Sequence, residues 1–344
     1  MNYRLLGKSG LRVSEMSLGT MTFGEEWGWG AAKDEAQKVY NAYRDAGGNF
    51  IDTANLYTNG TSESFLGEFV KGHRESMVLA TKYTNAVPGN DPNAAGNHRK
   101  SMTQAVEASL KRLQTDYIDL YWVHIWDQIT PVEEVMRGLD DLVRQGKVLY
   151  VGISDAPAWW IAQANTLASL RGWSAFVGLQ IEYSLVERTI ERELLPMAKA
   201  LGLGVTAWSP LSSGVLTGKY HGHGSKEAGR MSSDMMKEFM PEEQRTARIV
   251  SAVKTVADQV GRSMAQVALA WLRYRPVPVI PIIGARKLTQ LQDNLASSNL
   301  ALSPGQLTEL EEASQIDLGF PYSMYAKDLV RGFIYGGMRD RILV

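Results

Sequence analysis

The chain has 344 residues, 36 basic and 37 acidic side chains, and no cysteine. The balanced charge argues against nucleic acid or an anionic membrane as partner. The missing cysteine excludes disulfides, thiolate metal sites and cysteine nucleophiles. The charged N-terminus, MNYRLLGKSG, lacks the apolar segment of a signal peptide, and no run of 18 apolar residues is present. We therefore expect a soluble cytoplasmic protein with neither a nucleic-acid nor a membrane partner.

Short apolar runs alternate with amphipathic helical patterns along most of the chain. The eight predicted strands are residues 16–19, 50–52, 77–81, 118–123, 148–153, 177–180, 204–208 and 279–284. Helical patterns include residues 33–46, 101–113, 132–145, 191–201, 242–260 and 264–274. Near-continuous apolar strands that alternate with helices predict a buried parallel sheet. Eight such units predict an α/β fold, a (β/α)8 barrel that spans residues 1–344 as one domain.

Four segments lie outside this repeat. Residues 3–6 and 11–13 flank Gly7-Lys8-Ser9-Gly10, which predicts a β-hairpin that plugs the bottom of the barrel. Segments 85–97 and 221–233 are rich in turn residues and follow strands, so we expect long loops at the active face. The tail, from about residue 317 to 344, mixes aromatic residues and glycines. We predict that it packs across that face or against a partner.

Polar side chains stand at the ends of three adjacent predicted strands. Asp52 ends the second strand, Lys82 follows the third and His124 follows the fourth, while Tyr57 lies five residues beyond Asp52. Each residue alone has an ordinary structural explanation, such as a helix cap, loop packing or a buried histidine. In a parallel barrel, however, these strand ends converge on one mouth. We therefore predict that the four side chains form a catalytic site.

Longer motifs around these residues resemble those of the aldo-keto reductase family. The motifs are NFIDTANLY (49–57), TK (81–82), LYWVH (120–124), GISD (152–155), LQIEYS (179–184), WSPL (208–211), LTGKY (216–220) and IIGAR (282–286). They cover residues 3–294 and are most similar to the bacterial type with a short cofactor loop; potassium-channel β subunits are also similar. The resemblance implies NADPH-dependent reduction of a small-molecule aldehyde or ketone.

The chemistry of the four residues agrees with that expectation. Carbonyl reduction needs a proton donor for the forming alkoxide, and a free tyrosine, with a pKa near about 10, donates poorly at neutral pH. A neighbouring ammonium stabilises a phenolate, and a carboxylate keeps a buried ammonium charged. We predict that Tyr57 is the general acid, that Lys82 and Asp52 tune it, and that His124 orients the carbonyl as a neutral hydrogen-bond donor.

The nicotinamide is expected at the barrel mouth, since no Gly-x-Gly-x-x-Gly motif follows a strand. Trp208 ends the seventh strand and has a face on which that ring can stack. The resemblance places the nicotinamide and its carboxamide near Gly19, Thr20, Met21, Asp52, Ser154, Asp155 and Gln180. Asparagine is usual in the family where Asp155 stands here. A carboxylate accepts hydrogen bonds but does not donate them, which affects cofactor preference and reaction direction.

Phosphate and adenine contacts are expected from the last two strands. The resemblance implies a pyrophosphate loop made of Ser209, Pro210, Leu211, Ser213, Gly214 and Leu216, with Lys219 and Arg230 as cationic partners. After the eighth strand, Gly284 and Arg286 precede a helix whose N-terminal N–H groups suit an anion. Arg286 is predicted to bind the 2′-phosphate of NADPH. Asp293 and the helix neighbours Gln290 and Asn294 complete the predicted adenine side.

Substrate contacts are expected from loop tryptophans as well as from Tyr57 and His124. Trp27, Trp29 and Trp126 follow the first and fourth predicted strands, and they form either an aromatic wall or ordinary loop packing. His221 and His223 lack a third ligand, so we expect no metal site.

Two alternatives to a carbonyl reductase remain open. One is an NADPH-binding, redox-sensing regulatory subunit, because potassium-channel β subunits keep the same catalytic residues. The other is oxidation of sugar or xenobiotic hydroxyls, which an anion at Asp155 favours. The loops that select a substrate have no readable code, and the sequence does not indicate the oligomeric state.

Overall fold

The computed structural model describes residues 1–85, 91–220 and 243–342. The predicted loop 221–233, with Arg230, His221 and His223, therefore lies outside the described residues. The strands are β1 (Tyr3–Leu5), β2 (Arg12–Ser14), β3 (Ser17–Gly19), β4 (Phe50–Asp52), β5 (Val78–Tyr83), β6 (Ile118–Val123), β7 (Val148–Ser154), β8 (Phe176–Glu182), β9 (Gly204–Trp208) and β10 (Val279–Gly284).

Helices follow the barrel strands, as the alternating pattern predicts. The helices are α1 (Lys33–Asp45), α2 (Thr61–Phe69), α3 (Arg99–Leu113), α4 (Val132–Arg144), α5 (Ala158–Arg171), α6 (Leu194–Leu201), α7 (Glu243–Val260), α8 (Met264–Leu272), α9 (Leu288–Ala296), α10 (Pro304–Ser314), α11 (Tyr322–Tyr325) and α12 (Asp328–Tyr335). The helix predicted at 191–201 begins later, with a separate 3₁₀ turn at Thr189–Glu191. Pro196 stands in the first turn of α6, where a missing N–H costs nothing, so the helix starts just before it.

Eight parallel strands close into a barrel in the order β10-β3-β4-β5-β6-β7-β8-β9. Closure occurs between β10 and β3, where Gly284 pairs with Gly19. The predicted (β/α)8 barrel is therefore confirmed. Because all eight strands run the same way, their carboxyl ends meet at one rim, which is where such barrels carry their sites.

The N-terminal hairpin closes the opposite end of the barrel. Strands β1 and β2 pair antiparallel, and Leu6 packs among buried residues at the strand starts, including Phe50 and Trp122. Gly7 adopts φ +58°, and a β-carbon there would lie 2.5 Å from the carbonyl oxygen of Val177. Only glycine allows this approach. The predicted plug is confirmed, and it leaves the carboxyl rim as the open end.

The C-terminal tail does not join the core. Arg192 donates to the carbonyl oxygen of Asp317 at 2.8 Å, at the point where the tail leaves α10. Both α11 and α12 are described in full, and neither has a buried residue. Of the described helices, none is both long and apolar enough to cross a membrane.

Candidate active site

Three strand ends and one turn bring the predicted catalytic residues together. Asp52 closes β4, Lys82 lies near the end of β5, and His124 directly follows β6. Tyr57 opens a 3₁₀ turn, Tyr57–Gly60, in which Thr58 and Asn59 both have positive φ. The hydroxyl of Thr58 donates to the carbonyl oxygen of Phe23 at 2.6 Å, which anchors this unusual turn to the loop after β3.

Lys82 is the hub of the site, and its side chain is fully buried. Its ammonium donates to the Asp52 carboxylate, to the carbonyl oxygen of Thr53 at 2.9 Å and to the Tyr57 phenol oxygen at 3.1 Å. Three acceptors therefore match its three protons. Burial alone would lower the pKa of Lys82, but Asp52 and Tyr57 raise it above its usual value. The lysine is consequently a charged donor held against the tyrosine.

Asp52 is held from two sides. Its second carboxylate oxygen accepts from Nε2 of Gln180 at 2.8 Å, across the barrel from β8. The N–H and hydroxyl of Thr20 both donate to the backbone oxygen of Asp52. Gln180 and Thr20, predicted as cofactor contacts, thus also hold Asp52, Gln180 through the carboxylate and Thr20 through the backbone. The sequence did not predict the contact between Gln180 and Asp52, because 128 residues separate them and no local pattern connects them.

His124 is held neutral in a defined tautomer. Burial, and then the charge of Lys82, lower the pKa of His124 well below its usual value. Nδ1 of the imidazole lies 3.1 Å from the side-chain nitrogen of Asn85, which donates only. Nδ1 therefore accepts, and the ring proton sits on Nε2. Asn85 was placed in a loop by sequence; its position just after β5 is the signal that could have indicated it.

The aromatic rings around Tyr57 build one wall of the mouth. Trp27 and His124 meet the Tyr57 ring edge-on, with centroids at 6.4 and 6.0 Å. Trp29 lies 5.7 Å from Trp27. Trp126 packs instead against Trp159 at 5.5 Å, and Trp159 is 59% exposed. Of the three predicted tryptophans, Trp27 thus lies beside Tyr57, Trp29 packs on Trp27, and Trp126 belongs to a different cluster.

Asp155 lies at the end of β7 in a strained conformation, with φ +41°. Its carboxylate accepts from the indole N–H of Trp208 at 3.0 Å. Burial raises the pKa of Asp155 to about 6, although the bond from Trp208 opposes this shift. A cleft of about 420 Å³ adjoins both side chains, so the carboxyl can exchange protons with solvent. Asp155 therefore changes charge near pH 6, and it holds the Trp208 ring in place.

The segment after β9 forms a cationic cradle. Ser209, Ser212 and Ser213 have positive φ, and Gly214 follows with φ +92°. The ammonium of Lys219 lies over Gly214, where an added β-carbon would approach Nζ to 2.7 Å. The N–H groups of Ser212 and Gly214 donate to the carbonyl oxygens of Ser209 and Leu211, so the ammonium of Lys219 is the group of this segment that suits an anion such as a pyrophosphate. Of the predicted loop residues, Leu216 is fully buried in the core.

At the N-terminus of α9, the structure pairs the backbone groups within the protein. The N–H of Arg286 donates to Oε1 of Gln290, and the N–H of Leu288 donates to Glu35, both at 2.9 Å. These N–H groups therefore have protein acceptors, whereas the sequence suggested an anionic ligand. A phosphate at this end would depend on the guanidinium of Arg286.

The remaining predicted residues occupy several environments. Asp293 accepts from Ser263 at 2.8 Å and from Gln266 at 2.7 Å, which joins α9 to α8. Asn294 and Ser154 are buried, and Gly284 is exposed. A β-carbon on Gly19 would lie 2.7 Å from Ile282, and Met21 and Pro210 lie in the loops after β3 and β9. Within residues 1–85, 91–220 and 243–342 no cluster of three metal-ligating side chains occurs.

Comparison with known proteins agrees with this architecture. The profile of the aldo/keto reductase family matches residues 15–315. Similar proteins include norsolorinic acid reductase of Emericella nidulans, 40% identical over 91% of this chain and 81% of the relative. Aryl-alcohol dehydrogenase [NADP(+)] of Phanerodontia chrysosporium is 38% identical over 92% and 86%. The aldo-keto reductase ausK of Emericella nidulans is 37% identical over 95% and 85%.

The chain therefore belongs to the aldo/keto reductase family. Its relatives are named as reductases and dehydrogenases, and the protein is an oxidoreductase of that family.

Proposed function

We propose that the protein is an NADPH-dependent reductase of aromatic aldehydes or ketones. The observation that carries this proposal is the contact between Lys82 and Tyr57, with an ammonium donating to the phenol oxygen at 3.1 Å beside a neutral histidine. Such a site delivers one proton to a forming alkoxide. The hydride that reduces the carbonyl carbon would come from NADPH when it is bound.

The protein's own groups divide the remaining work. The rings of Tyr57 and His124 lie edge to face at 6.0 Å, and the Tyr57 hydroxyl and the Nε2–H of His124 would orient the carbonyl oxygen together. Tyr57 gives its proton to that oxygen as negative charge develops there. Lys82 stabilises the phenolate left behind, and Asp52 keeps Lys82 charged. Gln180 and Asn85 position Asp52 and His124.

The cofactor assignment rests on the cradle after β9 and on Arg286. Lys219 would hold the pyrophosphate, and Arg286 would hold the 2′-phosphate. Trp208 would face the nicotinamide, held in orientation by Asp155. The name of the Phanerodontia relative includes NADP(+), which supports the same choice.

The aromatic substrate class rests on Trp27 and Trp29. Trp27 meets Tyr57 edge-on and Trp29 packs on Trp27, and aromatic side chains favour planar aromatic ligands. Two relatives carry the names norsolorinic acid reductase and aryl-alcohol dehydrogenase. These names support an aryl carbonyl compound or the corresponding alcohol.

The test is a panel of aryl and alkyl aldehydes, ketones and alcohols with each reduced and oxidised nicotinamide cofactor. We expect the highest kcat/KM for aryl aldehydes with NADPH. Tight NADPH binding with no turnover on any carbonyl would instead indicate a redox-sensing regulatory subunit. Faster turnover of alcohols than of carbonyls at neutral pH would reverse the proposed direction.

Asp155 favours that second candidate, alcohol oxidation, because its anion stabilises the positively charged oxidised ring. We expect Asp155→Asn to tighten NADPH relative to NADP⁺ by no more than about tenfold. Because the pKa of Asp155 is about 6, the effect should be present above that pH and vanish below it, where the wild-type carboxyl is neutral. Dissociation constants for both forms, measured from pH 5 to 8, decide this. If the ratio of the NADPH and NADP⁺ dissociation constants is equal in the wild type and in Asp155→Asn at every pH, Asp155 does not act on the nicotinamide charge.

Arg286 provides the test of cofactor choice. A guanidinium meets a phosphate with two parallel charge-assisted bonds, of about 1.5–3 kcal/mol each before screening. Allowing for solvent, we expect Arg286→Ala to weaken NADPH by roughly 30- to 150-fold and to leave NADH almost unchanged. The loss should shrink as salt rises. Arg137→Ala, on the exposed face of α4, controls for loss of one cation. Equal weakening of both cofactors would give Arg286 a structural role.

A further inference from the structure

The C-terminal tail, residues 318–342, presents its large apolar side chains to solvent. Ten of them are 37–81% exposed, namely Leu318, Phe320, Met324, Tyr325, Leu329, Phe333, Ile334, Tyr335, Met338 and Ile342. Taking about 150–250 Å² for an aromatic side chain, they expose on the order of 1,000 Å². Exposed apolar patches on soluble monomers rarely exceed a few hundred Å², and larger ones mark interaction surfaces.

Helix α12 organises part of this surface into one face. At 3.6 residues per turn, one side of the helix carries Leu329, Val330, Phe333 and Ile334, and the other side carries Asp328, Arg331, Gly332 and Tyr335. All eight residues are described, and none is buried. A two-turn helix that includes a glycine is not stable alone in water. Its apolar face therefore requires a covering surface.

We propose that α12 packs antiparallel against α12 of a second copy of this chain and so forms a homodimer. The face is self-complementary, as a two-fold interface requires. In an antiparallel pair, Leu329 of one copy lies against Ile334 of the other, and Val330 lies against Phe333. The apolar face of α12 carries three of the ten exposed side chains, Leu329, Phe333 and Ile334, so reaching the roughly 800 Å² that each partner contributes to a standard interface requires the rest of the tail to pack against the second copy as well.

The order of charged residues along the tail favours antiparallel over parallel packing. Asp328 begins α12, whereas Arg339 and Arg341 follow its C-terminal end. Antiparallel packing brings Asp328 of each helix towards Arg339 and Arg341 of the other copy, whereas parallel packing would bring Asp328 towards Asp328. The tail carries four basic and two acidic residues, and the rest of the chain carries 32 basic and 35 acidic. Basic residues beside an apolar face also suit an anionic membrane surface, so the test includes vesicles.

Sedimentation equilibrium of the full chain, over two decades of micromolar concentration, tests the interface. We expect a dimer whose dissociation constant rises at least about 100-fold in the Leu329→Asp/Phe333→Asp variant. Arg331→Asp changes the net charge by the same amount on the opposite face and should leave the dimer intact. A monomeric wild type, or equal weakening by both variants, overturns the proposal. So does a wild type that stays monomeric but sediments with phosphatidylserine vesicles.

Cross-linking gives a second measurement that does not depend on the stability of a doubly charged variant. The chain has no cysteine, so a single introduced thiol reports only contacts between copies. With a short bismaleimide we expect Phe333→Cys to form a covalent dimer. Leu170→Cys, on α5 and 79% exposed against 78% for Phe333, should stay monomeric. Equal yields from the two variants contradict the interface.

Discussion

Tyr57→Phe should lower kcat for carbonyl reduction by at least about 100-fold, the low end of what a general acid contributes. The variant loses one hydroxyl and keeps the ring that packs edge-on against Trp27 and His124. The cradle after β9 and Arg286 are untouched, so NADPH affinity should change little. Stopped-flow turnover with an aryl aldehyde, together with fluorescence titration of NADPH, measures the two quantities separately.

Tyr40→Phe is the matched control for that variant. Its hydroxyl bonds the ring of His73 on the outer side of the barrel, away from the mouth. Turnover of this variant should stay near wild type. If Tyr57→Phe also turns over normally, the proton comes from another group, and Tyr57 loses its assigned role.

Lys82→Met should reduce kcat about as much as Tyr57→Phe. Without the ammonium, the phenolate formed by proton transfer has no opposite charge beside it. The Lys82→Met/Tyr57→Phe double variant should be little slower than either single variant, because residues that act as one unit are not additive. Losses that multiply would show that Lys82 contributes independently of Tyr57.

Lys82→Met should also lower the stability of the protein, so a control must separate lost stability from lost catalysis. Removing Lys82 leaves the Asp52 carboxylate buried without its cation, a change that costs about 3–5 kcal/mol. Arg74→Met breaks the largely buried pair with Asp119 near the starts of β5 and β6. We expect it to lower the denaturant midpoint similarly with little effect on kcat. If Arg74→Met is as slow as Lys82→Met, lost stability accounts for both.

The sequence was sufficient for the barrel and for the principal residues of its mouth. Strand patterns predicted β4, β6, β9 and β10 to the residue, because buried parallel strands are short apolar runs with polar ends. Asp52, Lys82 and His124 stand at such ends, so their convergence followed from topology alone. Tyr57 follows Asp52 by only five residues, so its ring must lie close to the end of β4.

What the sequence did not indicate depends on contacts between distant segments. Gln180 reaches Asp52 across the barrel, and Glu35 of α1 bonds the first N–H of α9, 253 residues away. Neither contact follows from composition, periodicity or motif spacing. The exposure of the tail could not be predicted for a related reason. Apolar and aromatic residues give the same sequence pattern whether they pack on their own barrel or on another copy.

The closure between β10 and β3 has a consequence for biosynthesis. Strand β10 is the last of the eight to leave the ribosome, so every nascent chain that ends before it presents β3 and β9 as open edges. Unpaired edges recruit other chains, and a pairing that joins residues this far apart in sequence forms slowly. Chains shortened after α10 should therefore still fold, whereas those shortened within β10 should accumulate as aggregates.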